Sequence, residues 1–128
     1  MQITKLLLAH KKRLFFWFLL GWMVVLLLLS LVDIRLEKKP PVAHADKWVH
    51  TFMYGTMAVL TFFYFYYGSK FQHRYALYLV SFVVPFVYGM IIEILQAVLP
   101  VSRDGDVLDL LANSTGIIIS LLLIFWFS

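Results

Sequence analysis

The nineteen residues from Leu14 to Val32 contain no charged side chain, and this run restricts the fold before anything else does. As a helix rising about 1.5 Å per residue, it covers roughly the 30 Å hydrocarbon core of a bilayer. A chain carrying such a run must bury it in a large core or place it in lipid. Size closes the first route. A chain of 128 residues has room for one domain, and its residues are 62% apolar and 14% charged, against about 45–50% and about 25% in soluble proteins. So small a body cannot cover that much apolar surface with itself, and the mean hydropathy of +0.87 agrees. Cysteine is absent, which excludes disulfides, thiol catalysis and cysteine-bound metal centres. The net charge is +4, but Lys and Arg punctuate the apolar runs and form no basic face, so no nucleic-acid partner is expected.

Lys5, Lys11, Lys12 and Arg13 precede the run. A basic start before an apolar stretch also describes a signal peptide, and Ala43-His44-Ala45 has the small-x-small form of a cleavage site. The run is longer than the usual h-region of about 7–15 residues, and that tripeptide lies beyond the charged Pro40-Pro41 segment, so an uncleaved first span is expected. Further spans follow at 48–67, 75–99 and 106–127, joined by short connections, with Pro85 expected to kink the third. The predicted fold is an all-α membrane protein, a four-transmembrane-helix antiparallel bundle forming a single domain over 1–128. Four spans put both termini and the 68–74 turn on one side. That side holds six Lys and Arg residues against five on the other, which by the positive-inside rule places both termini in the cytoplasm and the protein in the cell membrane.

Alternation of the spans has a consequence that needs no orientation. The start of the second, the end of the third and the start of the fourth share one membrane face. Polar residues gather at these three ends. Asp46, His50, Tyr54, Met57 and Thr61 recur every three or four residues, as do Gly89, Glu93 and Gln96, and then Asp109, Ala112, Asn113, Gly116 and Ser120. Each set lines one helical stripe. His50 is about one turn inside its helix, and Glu93 and Asn113 about two. Three stripes at similar depth predict a pocket open to one membrane surface, with Lys47 and Arg103 at its mouth. A carboxylate facing lipid there would cost several kcal/mol, so Glu93 is expected to face inward with a partner or to be neutral.

The strings Asp46-Lys47-x-x-His50-x-x-x-Tyr54, Tyr88-Gly89-x-x-x-Glu93-x-x-Gln96 and Arg103-x5-Asp109-x3-Asn113-x-x-Gly116, in that order within a four-helix chain, resemble the VanZ-like family. The resemblance covers the chain from about Asp46 onward, while the first helix matches in type alone. It departs locally at Asp104-Gly105-Asp106, which sets acidic groups beside Arg103. The family is named for a protein associated with teicoplanin resistance. The resemblance therefore implies a role at the cell envelope without naming a reaction.

Each residue has a plain reading beside a chemical one. His50 is either an interfacial histidine bonded to a neighbour or a group that moves a proton or holds a head group. Glu93 is either a helix–helix hydrogen-bonding residue or an acid–base group. Asp109 also complements the positive end of its helix, and Arg103 either anchors a loop or reads phosphate. Ala112, Gly116 and Ser120 suit close helix packing. The aromatic stretch Phe62–Tyr67 reads as an interfacial belt at the opposite face. The string His44-x-Asp46-x3-His50 offers metal-ligand residue types, but His44 lies in a proline-flanked loop, and no metal and no cofactor are expected. The candidate site is thus Asp46, Lys47, His50, Tyr54, Glu93, Gln96, Arg103, Asp109 and Asn113, with His50, Glu93 and Asp109 as candidate catalytic groups. Expected partners are membrane lipids and a lipid-linked or lipid-tailed amphiphile, which the protein binds or processes. The competing reading is a non-catalytic assembly subunit whose polar residues lock the bundle.

Overall fold

A computed structural model describes residues 2–31, 45–68, 73–99 and 106–127. They form four helices: α1 (Gln2–Leu31), α2 (Ala45–Gly68), α3 (Arg74–Val98) and α4 (Val107–Phe127). α1, α3 and α4 are each long and apolar enough to cross a membrane. α2 is 24 residues long, but its charged first turn, threonines and tyrosines dilute its apolar content. The bounds of α2, α3 and α4 fall within a few residues of the expected spans. α1 differs, because its helix starts at Gln2 rather than near Leu14. The basic segment is helical too, and it packs on the end of α2. There the Lys11 ammonium lies 5.2 Å from the Tyr67 ring centroid and the Lys12 ammonium 5.8 Å from that of Tyr64, while the Lys12 stem lies against Gly68. Long basic side chains reaching from an apolar helix across aromatic rings are at home at a membrane interface. Pro85 lies inside α3, which continues through it to Val98.

α2 is the centre of the bundle. It packs against α4 most extensively, then α1, then α3, while α1 and α4 do not meet among the described residues. Trp22 Nε1 donates to the Met53 carbonyl at 2.9 Å, tying α1 to α2. The Tyr88 hydroxyl donates to the Met23 carbonyl at 2.5 Å, and Gln96 Nε2 to the Ser30 carbonyl at 2.8 Å, tying α3 to α1. Such bonds keep their value in lipid because no water competes for the partners.

The burial pattern is inverted relative to a soluble protein. Trp17, Leu28, Ile94, Val98, Leu122 and Phe125 are all exposed, whereas Ser81, Gln96, Asp109 and Asn113 are buried. A hydrocarbon surround gives polar groups no partners, so they gather inside or bond to their own helix. Thr56 and Thr115, on exposed positions, do the latter, donating to the Phe52 and Leu111 carbonyls four residues back.

α2 and α4 run parallel and touch backbone to backbone. A Cβ built at Gly116 would overlap the Thr51 carbonyl and lie 2.9 Å from the Thr51 Cα, and one at Gly55 would lie 2.7 Å from the Ser120 hydroxyl and 3.0 Å from the Gly116 carbonyl oxygen. The Thr51 hydroxyl bridges the seam, donating toward the Lys47 carbonyl on its own helix at 2.9 Å and the Ala112 carbonyl of α4 at 3.2 Å. The small stripe Ala112, Gly116 and Ser120 therefore does serve close approach, and Thr51 with Gly55 is the opposing half. Gly116→Ala is expected to lower stability by about 1–3 kcal/mol, the usual cost of overpacking. Gly21→Ala, where nothing lies within 4 Å, is expected to be neutral or slightly stabilising. Thermal unfolding of both variants in detergent checks the pair, and equal Tm shifts would refute the seam.

Candidate functional site

Asp106 starts the site by starting a helix. Just ahead of α4, its Oδ1 accepts the Leu108 N–H at 2.8 Å as an N-cap. Its own N–H donates to Glu93 Oε2 of α3 at 2.9 Å, so the cap also fixes α4 against the end of α3. One turn on, Asp109 points from α4 into the bundle and is buried.

Lys47, in the first turn of α2, meets these residues from the other side. Its ammonium lies 3.2 Å from Asp46 Oδ2 and 2.7 Å from Asp106 Oδ2, and it also donates to Asp109 Oδ1. Asp46 and Asp106 are more than 40% exposed, whereas Asp109 is 9% exposed. Exposed pairs contribute about 0–1 kcal/mol, while a buried carboxylate without a counter-charge costs several. The Lys47–Asp109 pair is therefore the one that matters energetically.

A turn deeper lie His50, Asn113 and Tyr54. His50 Nδ1 is 3.0 Å from Asn113 Oδ1, and His50 Nε2 is 3.7 Å from Asp109 Oδ2. The Tyr54 ring stacks alongside that of His50, 6.2 Å between centroids. Gly89 of α3 leaves room for both neighbours, since a Cβ there would lie 2.9 Å from Tyr54 Cε1 and 3.0 Å from Asn113 Nδ2. The Tyr54 hydroxyl and Asn113 Nδ2 are buried and have no hydrogen-bond partner among the described residues. His50, Glu93 and Asp109 each offer a ligand-type atom within 4.8 Å of the other two.

Of the residues singled out from sequence, Asp46, Lys47, His50, Tyr54, Glu93, Asp109 and Asn113 thus gather at one end of the bundle. Gln96 does not join them, because its amide is spent on the Ser30 carbonyl of α1. Arg103 and His44 lie outside the described residues, as does the Ala43-His44 part of the small-x-small string. Lys47 is not a cation waiting at a mouth: it is engaged by three carboxylates. Among the described residues, two cavities lie away from this cluster. One of about 510 Å³ opens at the opposite end among Phe62, Tyr66, Arg74 and Tyr78. Another of about 350 Å³ follows the α2–α4 seam past Trp48, Gly55 and Ser120. Sequence reading missed Thr51, Gly55 and Trp22. The four-residue spacing of Thr51 and Gly55 opposite Gly116 was the available signal for the first two.

Hydrogen bonding to Lys47, then to the Leu108 N–H, holds the Asp106 carboxyl below its ordinary value of 3.8. A lowered folded value means ionised Asp106 stabilises the fold above about pH 4, and that contribution is lost as pH falls through the lowered value. Lys47→Met is expected to cost about 2 kcal/mol at pH 7, less than the full penalty for a deeply buried pair because the ammonium is partly exposed. As pH falls through the lowered Asp46 and Asp106 values, the gap to wild type should narrow. Denaturation of both proteins across pH measures this, and a gap independent of pH would show that the lysine contributes packing alone.

A family model described as VanZ/LLP1 matches residues 11–128, taking in α1 from Lys11 onward together with α2, α3 and α4. No curated protein and no solved structure matches the chain. With the family model spanning nearly the whole chain and all four helices of the bundle, this multi-pass membrane protein belongs to the VanZ/LLP1 family.

Proposed function

We propose that the chain binds or processes an amphiphile at the polar end of the bundle: a phospholipid, a polyprenyl-linked wall precursor or a lipid-tailed glycopeptide of the teicoplanin kind. The observation that carries this reading is the layer of buried His50, Asp109 and Asn113 with half-buried Glu93, beside Tyr54, whose hydroxyl has no partner among the described residues. Intramembrane ionisable groups are costly, and structure alone rarely repays them. Helix ends at this depth lie under the head groups, so a ligand enters sideways while its tail stays in hydrocarbon. Hydroxyl and amide groups of the ligand satisfy the Tyr54 hydroxyl and the Asn113 amide. His50 or Glu93 is the group that moves a proton if a reaction follows, and Arg103 is the cation proposed to meet an anionic head group, since Lys47 is already engaged. On the orientation favoured by the charge count, both termini are cytoplasmic and this end faces outward from the cell membrane, where wall precursors and lipid-tailed glycopeptides are found.

A second reading has its own support. Lys47 joins α2 to α4, the Asp106 N–H joins α4 to α3 and Gln96 joins α3 to α1, as they would in an assembly subunit whose polar residues only lock the bundle. Substitution separates the two. For a ligand site, Arg103→Ala and Tyr54→Phe are expected to weaken binding of anionic lipids or lipid-tailed glycopeptides about tenfold or more, with Tm shifted little. The measurement is a binding titration on protein in nanodiscs. Equal, weak binding by wild type and both variants would remove the ligand-site reading and leave a structural four-helix protein.

A further inference from the structure

Three side chains from three helices converge at the polar end, and each is steadied from behind. His50 of α2 has Nδ1 against Asn113 Oδ1 at 3.0 Å. Glu93 of α3 accepts the Asp106 N–H at 2.9 Å. Asp109 of α4 gives Oδ1 to Lys47 and turns Oδ2 toward His50 Nε2, 3.7 Å away. In the tautomer in which Nδ1 donates to Asn113 Oδ1, Nε2 turns its lone pair toward the Asp109 carboxylate. In that tautomer Nε2 and the carboxylate are two acceptors, and a metal ion between them gives both a partner. One orienting contact behind each ligand is also the usual construction of a metal site.

We propose that His50 Nε2 and one carboxylate oxygen each from Glu93 and Asp109 hold a divalent transition-metal cation, Zn²⁺ or Mn²⁺. The inference rests on the reading of this end as the functional site. Candidate ligand atoms on the three residues all lie within 4.8 Å of one another. Ligands of a tetrahedral ion bound at about 2.0–2.1 Å sit about 3.4 Å apart, so the His50–Asp109 separation of 3.7 Å closes by a few tenths of an ångström and the widest, within 4.8 Å, by up to about 1.4 Å. Charge favours the same answer. One divalent ion, two carboxylates and a neutral imidazole make an uncharged unit, the form least penalised below the head-group layer. A mixed set of one nitrogen and two oxygens suits Zn²⁺ or Mn²⁺ better than Ca²⁺ or Cu⁺. A second observation points into the same place: the Tyr54 hydroxyl is buried and unpartnered among the described residues, and its ring stacks beside that of His50. Three protein ligands leave a coordination position open, and a water there gives that hydroxyl a partner. The open position also takes a phosphate or carboxylate oxygen, a task that Lys47 is too occupied to perform.

The sequence alone predicts no metal, because in the string His44-x-Asp46-x3-His50 the first histidine lies in a proline-flanked loop and one deep carboxylate is thin support. The cluster proposed here keeps His50 alone of those three and takes its carboxylates from α3 and α4.

The test uses the full chain, purified in detergent, stripped with a chelator and titrated with Zn²⁺ or Mn²⁺, with bound metal counted by mass spectrometry. One equivalent per chain is expected. His50→Gln, Glu93→Gln and Asp109→Asn should each weaken binding by at least about tenfold, and Asn113→Ala by about 10–100-fold through loss of the orienting contact. His10→Gln and His73→Gln, at the opposite end of the bundle, should bind like wild type. A wild-type chain that takes up no stoichiometric metal overturns the proposal, as does binding that survives in His50→Gln. Should a ligand variant fail to fold by circular dichroism, Co²⁺ bound to the wild-type chain reads the same site. The d–d spectrum of a four- or five-coordinate ion with nitrogen and oxygen ligands is expected, and the spectrum of the hydrated ion would overturn the assignment. Vesicles of anionic phospholipid are then added to loaded and stripped protein. Stoichiometric metal without lipid binding leaves the cation site standing and removes only the amphiphile reading.

Discussion

The structure depends on how closely α2 and α4 approach. Over Thr51, Gly55, Ala112 and Gly116 the two helices have almost nothing between their backbones, and the Gly116 position tolerates no Cβ beside the Thr51 backbone. In lipid there is no hydrophobic force to press helices together, so close backbone contact and interhelical hydrogen bonds must supply the association. Because the helices run parallel at this seam, their charged first turns are brought to the same level. Lys47 therefore reaches Asp109, and His50 reaches Asn113, as consequences of the contact one and two turns below.

That geometry settles how charge is handled. A buried Asp109 needs a counter-charge within reach, and the first turn of α2 is close enough to supply it. The remaining contacts of Lys47, to the exposed Asp46 and Asp106, add little energy but keep the ammonium from turning outward. A lysine that sequence alone places at the rim of a pocket is thereby drawn into the framework. Any anion held at this end must be met by something other than Lys47, and this links the proposed ligand to Arg103 and to the proposed cation.

α3 contributes differently. Its lower half carries Gly89, Glu93 and Gln96 on one stripe, yet the three serve three neighbours. Gly89 admits the Tyr54 ring, Glu93 receives the cap of α4, and Gln96 ties α1. The same face of one helix thus provides room, charge and attachment within two turns. The acidic side chain sits between an attachment point above and an open glycine below, and the polar layer is anchored from both ends.

The sequence by itself determined that the chain lives in a membrane, that it forms helices, and which of their faces are polar. Uncharged runs of bilayer length and three- to four-residue spacing are properties of one helix at a time, and they can be read without knowing its neighbours. Short connections further determined that the polar ends of α2, α3 and α4 lie together. Only the tertiary structure decided which polar residues meet. Spacing gives a residue's face and depth, but the rotation of one helix against another is set by where backbones can touch, so the four-residue spacing of Thr51 and Gly55 does not by itself say that they meet Gly116. For the same reason Gln96, in step with Glu93 along α3, turned out to face α1 rather than the cluster. The basic start of α1 escaped for a related reason: its charges mark where a span ends, whereas its helix is extended by the Tyr64 and Tyr67 rings on which Lys12 and Lys11 rest.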